Sequence, residues 1–588
     1  MIEPRYRWTF PDLRPAIAST TATSQVQGIS IRLAALLAAR GAATRDELAA
    51  WFAEPLEGLH DPSRLPDADL LLARMRLARD RGERVLVFGD FDADGLTGLA
   101  IMTIALRRFG VAVEPYVPSR LDEGHGLSLA AIDAAVACGA RVIVTVDCGS
   151  TSVAEVAVAN DRGLDVIVTD HHRVPSVMPA AMAFVNPHRP DSTYPDRRLA
   201  GSGVAFKIAQ LLLADEPGGP AAALDLSDLA TIGTVADVAP VVGENRSIAR
   251  LGLERLRRAP RPGIAALLER ARIAPAAMDL ETVVFAIAPR LNAAGRVGEA
   301  LEAVRLLLAD DPADAAVHAD ALEAANLTRR DLMKSAVAEA RAAVADAAGT
   351  DGATVVRGPW SVGIVGLVAA RLVEDRGRPA VVGAELGHVV RASCRSDGSL
   401  DLGATLERLG DLFVRYGGHA GAAGFELPAE RWDEFRGRFL ALAAESAPPD
   451  PRLTLAVDLA LPARDVDYAL FREFGGLAPC GPGNPDPLVA VLGLTVTRVR
   501  AATGGHSQLT LRRERDVLDG IAFGRADIAE TVHEGDRVDV VARLTSRVFG
   551  GFESLQLDIR DVATSGVHPG SAAILDERST PLLAGSPT

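Results

Sequence analysis

The densest chemistry in the chain is Gly89-Asp90-Phe91-Asp92-Ala93-Asp94-Gly95, three carboxylates directly after the apolar run RVLVF. Carboxylates this close repel one another unless a cation neutralises them, so the cluster calls for a metal or a basic partner more than for an acidic surface turn. An EF-hand loop does not account for it, because the later liganding positions and the terminal Glu are absent. Two more apolar runs end in hard donors: RVIVTVD in Asp147, followed by Cys148-Gly149-Ser150, and DVIVTD in Asp170, followed by His171-His172. Asp170 alone reads fairly as a helix cap, and Asp237 in GTVADVAP divides evenly between cap and ligand. Carboxylates with a minority of imidazoles suit Mg²⁺ or Mn²⁺, and the histidines favour Mn²⁺. Zn²⁺ fits less well, since neither thiolate spacing nor HExxH is present. So many acids imply two ions, which together activate water and neutralise a transferring phosphoryl group. The reaction class is hydrolysis of a phosphodiester or phosphoanhydride.

Residues this far apart meet only if the fold brings them together. From residue 84 the runs RVLVFGD, VAVEPYVP, RVIVTVD, DVIVTD and AMAFVNP alternate with helical segments, which predicts a parallel sheet covered on both faces. In such a sheet the carboxyl ends of neighbouring strands open into one crevice. Asn186-Pro187-His188 ends the fifth run, where closing the pocket and forming an edge turn are nearly equal readings. Before this domain, IRLAALLAARG and RDELAAWFAE predict a small helical lead-in. After it, residues 296–347 are helix-forming apart from the break at Asp311-Pro312, and predict a stiff spacer between two domains. A second α/β texture follows, with YGGHAGAAGF as a glycine-dense loop. Five alternating strands after SAPPDPRL then predict a small closed barrel with the OB-fold as its leading form. The expected division is a helical extension at 1–80, a catalytic α/β domain at 81–295, a connector at 296–347, a second α/β domain at 348–446, a barrel at 450–562 and a loose tail at 563–588.

The chain of 588 residues carries 62 basic and 77 acidic side chains, a formal charge of -15 that excludes a uniformly basic nucleic-acid coat but not a local basic groove. Lys207 and Lys334 are the only lysines, so the basic side is almost entirely arginine. Cys138, Cys148, Cys394 and Cys480 are widely spaced with no CxxC, which argues against a zinc ribbon or a disulfide scaffold. The start MIEPRYRWTFPDLRP has no apolar h-region, and no apolar run is long enough to cross a bilayer, so a cytoplasmic, membrane-free protein is expected.

The ordered set GDFDADGLTG, VDCGS, TDHH, GTVADVAP, APRLNAAGR and GGHAGAAGF, with the trailing barrel, resembles the DHH phosphoesterases and within them the bacterial RecJ-type single-stranded-DNA exonucleases, over roughly residues 30 to 560. The resemblance implies a multidomain α/β fold: a parallel-sheet DHH domain, a long connecting helix, a second α/β DHH-associated domain and a C-terminal OB-fold β-barrel. It implies metal ligation by Asp90, Asp92, Asp147, His171 and Asp237. Asp94 would be either a ligand or a close supporting acid, its role inseparable from that of Asp92 by sequence. His172 would orient water or the scissile phosphate. Two Mn²⁺ or Mg²⁺ ions, 5′ to 3′ polarity, release of 5′-nucleotides and a role in DNA repair and recombination are implied too. So are a monomer and partners such as a single-strand-binding protein and a RecQ-type helicase.

Substrate contacts are expected beyond the acids. Arg290 and Arg296 bracket LNAAG, and each is read either as a phosphate contact or as a salt bridge to the connector. Arg395 reads as a backbone-phosphate clamp, and Gly418 and His419 as parts of a phosphate nest. In the barrel, Arg498, Arg500, Arg512 and Arg513 form a basic stretch suited to a single-strand track, with Phe523, Phe549 and Phe552 as the few stacking candidates. A DHH-type oligonucleotide or cyclic-dinucleotide phosphodiesterase is the alternative enzyme, although it needs no barrel. A catalytically silent single-strand-binding factor would have lost the acids, which are all present.

Overall fold

Alternation within the apolar runs decides the first domain's architecture. In β1 (Arg84–Gly89), Val85 and Val87 enter one hydrophobic cluster while Leu86 and Phe88 enter another. In β3 (Ala140–Val146), Val142 and Val144 likewise oppose Ile143. A strand buried on both sides has no solvent face, which is why these runs read as nearly continuous apolar stretches. With β2 (Ala112–Tyr116), β4 (Asp165–Thr169) and β5 (Ala183–Val185) they form an all-parallel sheet in the order β2-β1-β3-β4-β5. Strand order reverses at β1, so the crevice at the carboxyl ends of β1 and β3 is the place where such a sheet binds ligands. The helices α1 (Ala93–Arg108), α2 (Gly201–Leu213) and α3 (Ser227–Ala236) bury much of their surface in the larger cluster.

The computed structural model describes residues 2–10, 29–120, 122–258, 260–345, 352–446, 452–549 and 552–567. The chain divides into two compact units, Glu54–Pro449 with Gly481–Gly483, and Met1–Ala53 with Asp450–Cys480 and Asn484–Thr588. The extension expected over residues 1–80 is therefore split, its first part belonging with the barrel and its remainder with the α/β unit. The tail beyond residue 567 lies outside the described residues.

In the α/β unit, α4 (Ala288–Val297) leads to α5 (Pro312–Ala345), a helix of 34 residues. This helix is not a spacer that holds two domains apart. Ala315, Ala319 and Leu322 pack into the first domain's core, while Ala336, Val337, Ala340 and Val344 pack into the second domain's. The two domains also touch directly. Arg296 donates from a terminal guanidinium nitrogen to the Gly363 carbonyl at 3.0 Å, and a methyl on Gly363 would lie 2.4 Å from the Arg296 carbonyl oxygen. The second domain is a mixed sheet of β6 (Thr354–Gly358), β7 (Ala380–Leu386), β8 (Val389–Arg395), β9 (Arg415–Gly418) and β10 (Ala422–Pro428), ordered β9-β10-β8-β7-β6. The helix α6 (Val362–Arg376) follows β6 and covers the sheet beside α5.

In the other unit β11 (Leu488–Ala502), β12 (His506–Arg513), β13 (Asp516–Ala522), β14 (Arg537–Phe549) and β15 (Phe552–Thr564) close into a barrel. The order is β11-β12-β13-β15-β14, with β14 pairing back onto β11, which is the OB-fold. Residues near the start of the chain seal it: strand Arg7–Thr9 pairs with Thr454–Ala456, and the buried Asp561 carboxylate accepts from the amides of Arg5 and Tyr6 and from the Trp8 indole.

Candidate active site

At the end of β1 the chain turns directly into α1, and the geometry of that turn separates the three acids. Asp92 caps α1, its Oδ1 accepting from the Asp94 and Gly95 amides at 3.0 and 3.1 Å. Asp94, one turn inside, reaches the start of α2, where its Oδ2 accepts from the Gly201 amide at 2.7 Å and its Oδ1 from Ser202 at 3.0 Å. Both Asp94 oxygens thus accept from helix-terminal amides. Asp90 is buried, with Oδ2 3.1 Å from His125 Nδ1 and Oδ1 lacking any hydrogen-bond partner.

Asp147, after β3, sits at φ +63°, a left-handed conformation that an aspartate tolerates better than most side chains. Its Oδ1 lies 3.0 Å from His171 Nε2, and neither atom makes a hydrogen bond. His171 Nε2 is also 3.9 Å from Asp94 and 3.8 Å from Asp237. Asp237 sits at the C-cap of α3, where the helix dipole disfavours a carboxylate unless a cation stands nearby. Three overlapping groups have donor atoms close enough to share an ion: Asp90, Asp92 and Asp147; Asp94, His171 and Asp237; and Asp147, His171 and His172. Overlap through Asp147 and His171 is the arrangement that two neighbouring ions require.

The electrostatics agree with that arrangement. Burial, then the charges of Asp90 and Asp94, push Asp92 up to about 6. Burial, then Asp94, raises Asp147 well above the carboxylate range, and the same two causes push Asp237 up to about 8. Acids that resist ionising together, three buried atoms without partners and a mixed oxygen-nitrogen donor set fit divalent cations of the Mn²⁺ or Mg²⁺ kind.

Asp170 caps no helix. It accepts from the Ser150, His171 and His172 amides and from His172 Nδ1 at 2.8 Å, which fixes the orientation of both histidines. Burial alone would raise its pKa, but the hydrogen bond and charge of His172 outweigh burial and hold it below the usual range. The same hydrogen bond pushes the half-exposed His172 up to about 9, whereas burial lowers His171. Asn186 completes the support, donating to Ser150 Oγ and to the His172 carbonyl while its own oxygen accepts from the His188 amide.

Three arginines interact electrostatically with the acids or with one another. Arg120 lies over the Phe91 ring at 4.7 Å, and burial lowers its pKa against the pull of Asp90 and Asp92. Burial, then the charge of Arg120, lowers Arg296 to about 9, and Arg395 is lowered first by burial and further by Arg120. None of the three has a carboxylate ion-pair partner among the described residues, unlike Arg290, which pairs with Glu323, and Arg391, which pairs with Glu426. Arg290 belongs to its other reading. It is buried, with Nε 2.5 Å from Glu323 on α5 and a further bond to the Ala286 carbonyl, so its charge is spent tying α4 to the long helix.

The glycine-dense segment is mostly strand. Gly417 pairs with Gly424 and Gly418 with Ala423, so only residues 419–421 turn. Gly418, at φ +146°, is required by close strand approach, since a methyl there would lie 2.4 Å from Ala423 Cα. The amides expected to form a nest are partly spent, His419 donating to the Ala422 carbonyl and Gly421 to His419 Nδ1. His419 stands exposed at the hairpin tip.

In the barrel, Arg498 pairs with Thr510, Arg500 with Gln508 and Thr495 with Arg512, across a bulge after Val496. Arg498, Arg500 and Arg512 therefore share one face with Gln508 and Thr510. Arg498 and Arg500 line a groove of ≈ 300 Å³ together with Arg547. Arg513 has the opposite parity and donates to the Leu492 carbonyl at 2.7 Å, so it leaves the track. Phe523 is exposed, edge-on to His506, while the side chains of Phe549 and Phe552 lie outside the described residues.

Sequence reasoning missed His125, Arg120, Asn292, Gly201 and Ser202. Asn292 accepts from the Ala93 amide at 2.8 Å and so braces the first acidic turn from α4. A methyl on Gly201 would lie 2.5 Å from Asp147 Cβ. Each acts from a distant part of the chain and carries no local signature except the LNAAG motif around Asn292.

Three family models match the chain: the DHH family N-terminal domain over residues 84–234, the DHHA1 domain over 350–445 and the RecJ OB domain over 457–561. They define a DHH phosphoesterase fold with an attached OB domain. The single-stranded-DNA-specific exonuclease RecJ of Bacillus subtilis (strain 168) is 34% identical over 573 residues, covering 96% of this chain and 72% of that protein. The crystal structure of RecJ in complex with Mn²⁺ from Thermus thermophilus matches with a TM-score of 0.80 at 30% identity, over 95% of this chain and 80% of that one. The Mg²⁺ complex from the same organism matches with a TM-score of 0.76 at 30% identity, over 95% and 78%. The chain belongs to the RecJ family. Among the described residues no helix is long and apolar enough to cross a membrane.

Proposed function

We propose that the chain is a metal-dependent exonuclease that hydrolyses single-stranded DNA from the 5′ end and releases 5′-nucleotides. The observation that carries this reading is the combination, in one unit, of a mutually repelling acid cluster with unpartnered buried atoms and a set of arginines with no carboxylate ion-pair partner among the described residues. Metal ions would neutralise the acids, and a phosphodiester would give the arginines an anion. The relatives are described as single-stranded-DNA-specific and were solved with Mn²⁺ and Mg²⁺, in keeping with that complement.

Asp90, Asp92, Asp147, His171 and Asp237 would hold two Mn²⁺ or Mg²⁺ ions, which when bound supply Lewis acidity and an activated water. Asp94 positions α2 and the floor of the site. His172, charged through Asp170 and half-exposed, faces outward to orient water or a phosphate oxygen, and Asp170 prevents the ring from turning away. Arg120, Arg296 and Arg395 hold substrate phosphate, and desolvation strengthens each contact. On the second α/β domain His419 offers a further phosphate contact, and on the OB domain Arg498, Arg500 and Arg512 offer a set of their own for a single strand. A cytoplasmic monomer acting in repair and recombination, beside a single-strand-binding protein and a RecQ-type helicase, completes the proposal.

The test is digestion of single-stranded DNA, duplex DNA, RNA and a dinucleotide, each labelled at either end, with Mn²⁺ and with Mg²⁺. Immediate release of a 5′ label as mononucleotide from single-stranded DNA is expected. Attack confined to the dinucleotide would favour an oligonucleotide phosphodiesterase, and release from the 3′ end would reverse the polarity.

A further inference from the structure

The buried stripe of α5 changes character partway along. Ala315, Ala319 and Leu322 pack into the first domain, and Met333, Ala336, Val337, Ala340 and Val344 into the second. Between them, on the same stripe by helical spacing, stand Asn326 and Arg329. An apolar stripe broken by an asparagine and an arginine, just where the helix passes from one core to the other, marks the part of the helix that faces the gap between the domains.

Arg329 is held there without being neutralised. Its terminal nitrogen donates to Asn326 Oδ1 at 2.9 Å, and Asn326 is itself buried, so the guanidinium is fixed one turn back along the helix. Its Nε is buried without a partner, and no carboxylate pairs with it among the described residues. Arg290 nearby has the opposite arrangement, with Glu323 closing its charge. The helix α4, which carries Arg296, packs on α5 and is tied to it by the Arg290–Glu323 bond; burial lowers the Arg329 pKa, and its charge in turn helps to lower that of Arg296. A half-buried cation costs desolvation energy unless an anion meets it, and the described residues provide none.

We propose that the connecting helix is part of the substrate channel, with Arg329 binding a backbone phosphate of the single strand adjacent to the phosphate held by Arg296. This rests on the single-strand exonuclease reading. On this view α5 reads the strand's charge as well as tying the domains together, and Asn326 is a positioning residue that presents the guanidinium.

The test uses the full chain with Mn²⁺ and compares Arg329→Ala, Arg329→Lys and, as control, Arg330→Ala, whose side chain is exposed on the same helix. For a 20-nucleotide oligothymidylate, Arg329→Ala is expected to raise KM about tenfold with kcat within twofold. The slope of log affinity against log salt should flatten by about 0.7, the share of one single-strand phosphate contact. Arg329→Lys should keep the wild-type slope, because a phosphate contact needs a cation and tolerates the loss of the fork. An unchanged salt slope in Arg329→Ala, or the same change in Arg330→Ala, overturns the proposal. An equal KM rise for Arg329→Ala and Arg329→Lys, accompanied by a lower melting temperature in both, also overturns it by assigning the residue to helix packing. A wild-type protein that fails to bind the oligothymidylate would instead refute the exonuclease reading beneath it.

Discussion

Gly201 carries no functional group, yet replacing it should disable the site. Its position at the start of α2 is set by its own amide, which donates to Asp94 Oδ2 at 2.7 Å, and a methyl there would stand 2.5 Å from Asp147 Cβ and 2.6 Å from Asp147 Oδ1. Carbon atoms come no closer than about 3.5 Å without strain, so Gly201→Ala must open the gap by about 1 Å. Two movements can do it: Asp147 retreats, or α2 withdraws and stretches the bond that orients Asp94. Either one misplaces an acid of the cluster by about 1 Å, a displacement that costs on the order of 100-fold in turnover. The overpacking should also cost about 1–3 kcal/mol in stability. Gly203→Ala is the matched control, since its nearest contact, Leu199 Cδ2, lies at 3.4 Å; it should keep full activity and add up to about 1 kcal/mol of helix stability. The assay is turnover of a single-stranded oligonucleotide at saturating Mn²⁺, beside a calorimetric Mn²⁺ titration. Gly201→Ala with more than about a third of the wild-type rate and unaltered Mn²⁺ affinity would refute the reasoning.

Three further outcomes are expected. Because Asp92 is pushed up to about 6 and Asp237 to about 8, both bind protons more tightly folded than unfolded; their stabilising contribution is complete below about pH 4 and is lost as the pH rises through 6 and then 8. Melting temperature in EDTA should therefore fall between pH 5 and 8 and flatten with Mn²⁺, and a flat profile in EDTA would contradict the assignment. Arg290→Ala should destabilise by about 3 kcal/mol with KM unchanged, through the stranded Glu323 carboxylate, whereas Arg296→Ala should raise KM with little loss of stability; thermal melts beside steady-state kinetics distinguish them. Arg512→Ala should flatten the salt dependence of single-strand affinity by about 0.7 while Arg513→Ala leaves it unchanged, and equal slopes would refute the face assignment.

The strand ends were legible because a doubly covered parallel strand must read as an apolar run, and an acid terminating such a run stands out. Asp90, Asp92, Asp147 and His171 meet for that reason. Gly201 and Ser202 were not legible, because they serve the site through backbone amides, which every residue but proline possesses. Arg290 and Arg296 look alike in sequence, and only the arrival of Glu323 from α5 separates them. Arg512 and Arg513 were separable in principle, since adjacent strand residues point to opposite faces, but charge density hid the parity. YGGHAGAAGF reads as a loop although most of it is strand, because glycine marks close strand contact as well as turns. The split of the first 80 residues between two units had no local signal, as it depends on strand pairing with residues beyond 450.

The Asp561 clamp has a consequence for biosynthesis. Trp8 leaves the ribosome long before its partner, since the carboxylate that receives its indole is made 553 residues later. At about 5–20 residues per second the interval is on the order of a minute. The α/β unit, Glu54–Pro449 with Gly481–Gly483, emerges whole within that interval and can fold around its own cores, while the early segment waits. A nascent chain thus acquires its acid cluster before its barrel is sealed. Ribosomes stalled after Gly481–Gly483 has emerged and before Asp561 is made should accordingly display a protease-resistant α/β unit flanked by a cleavable leading segment.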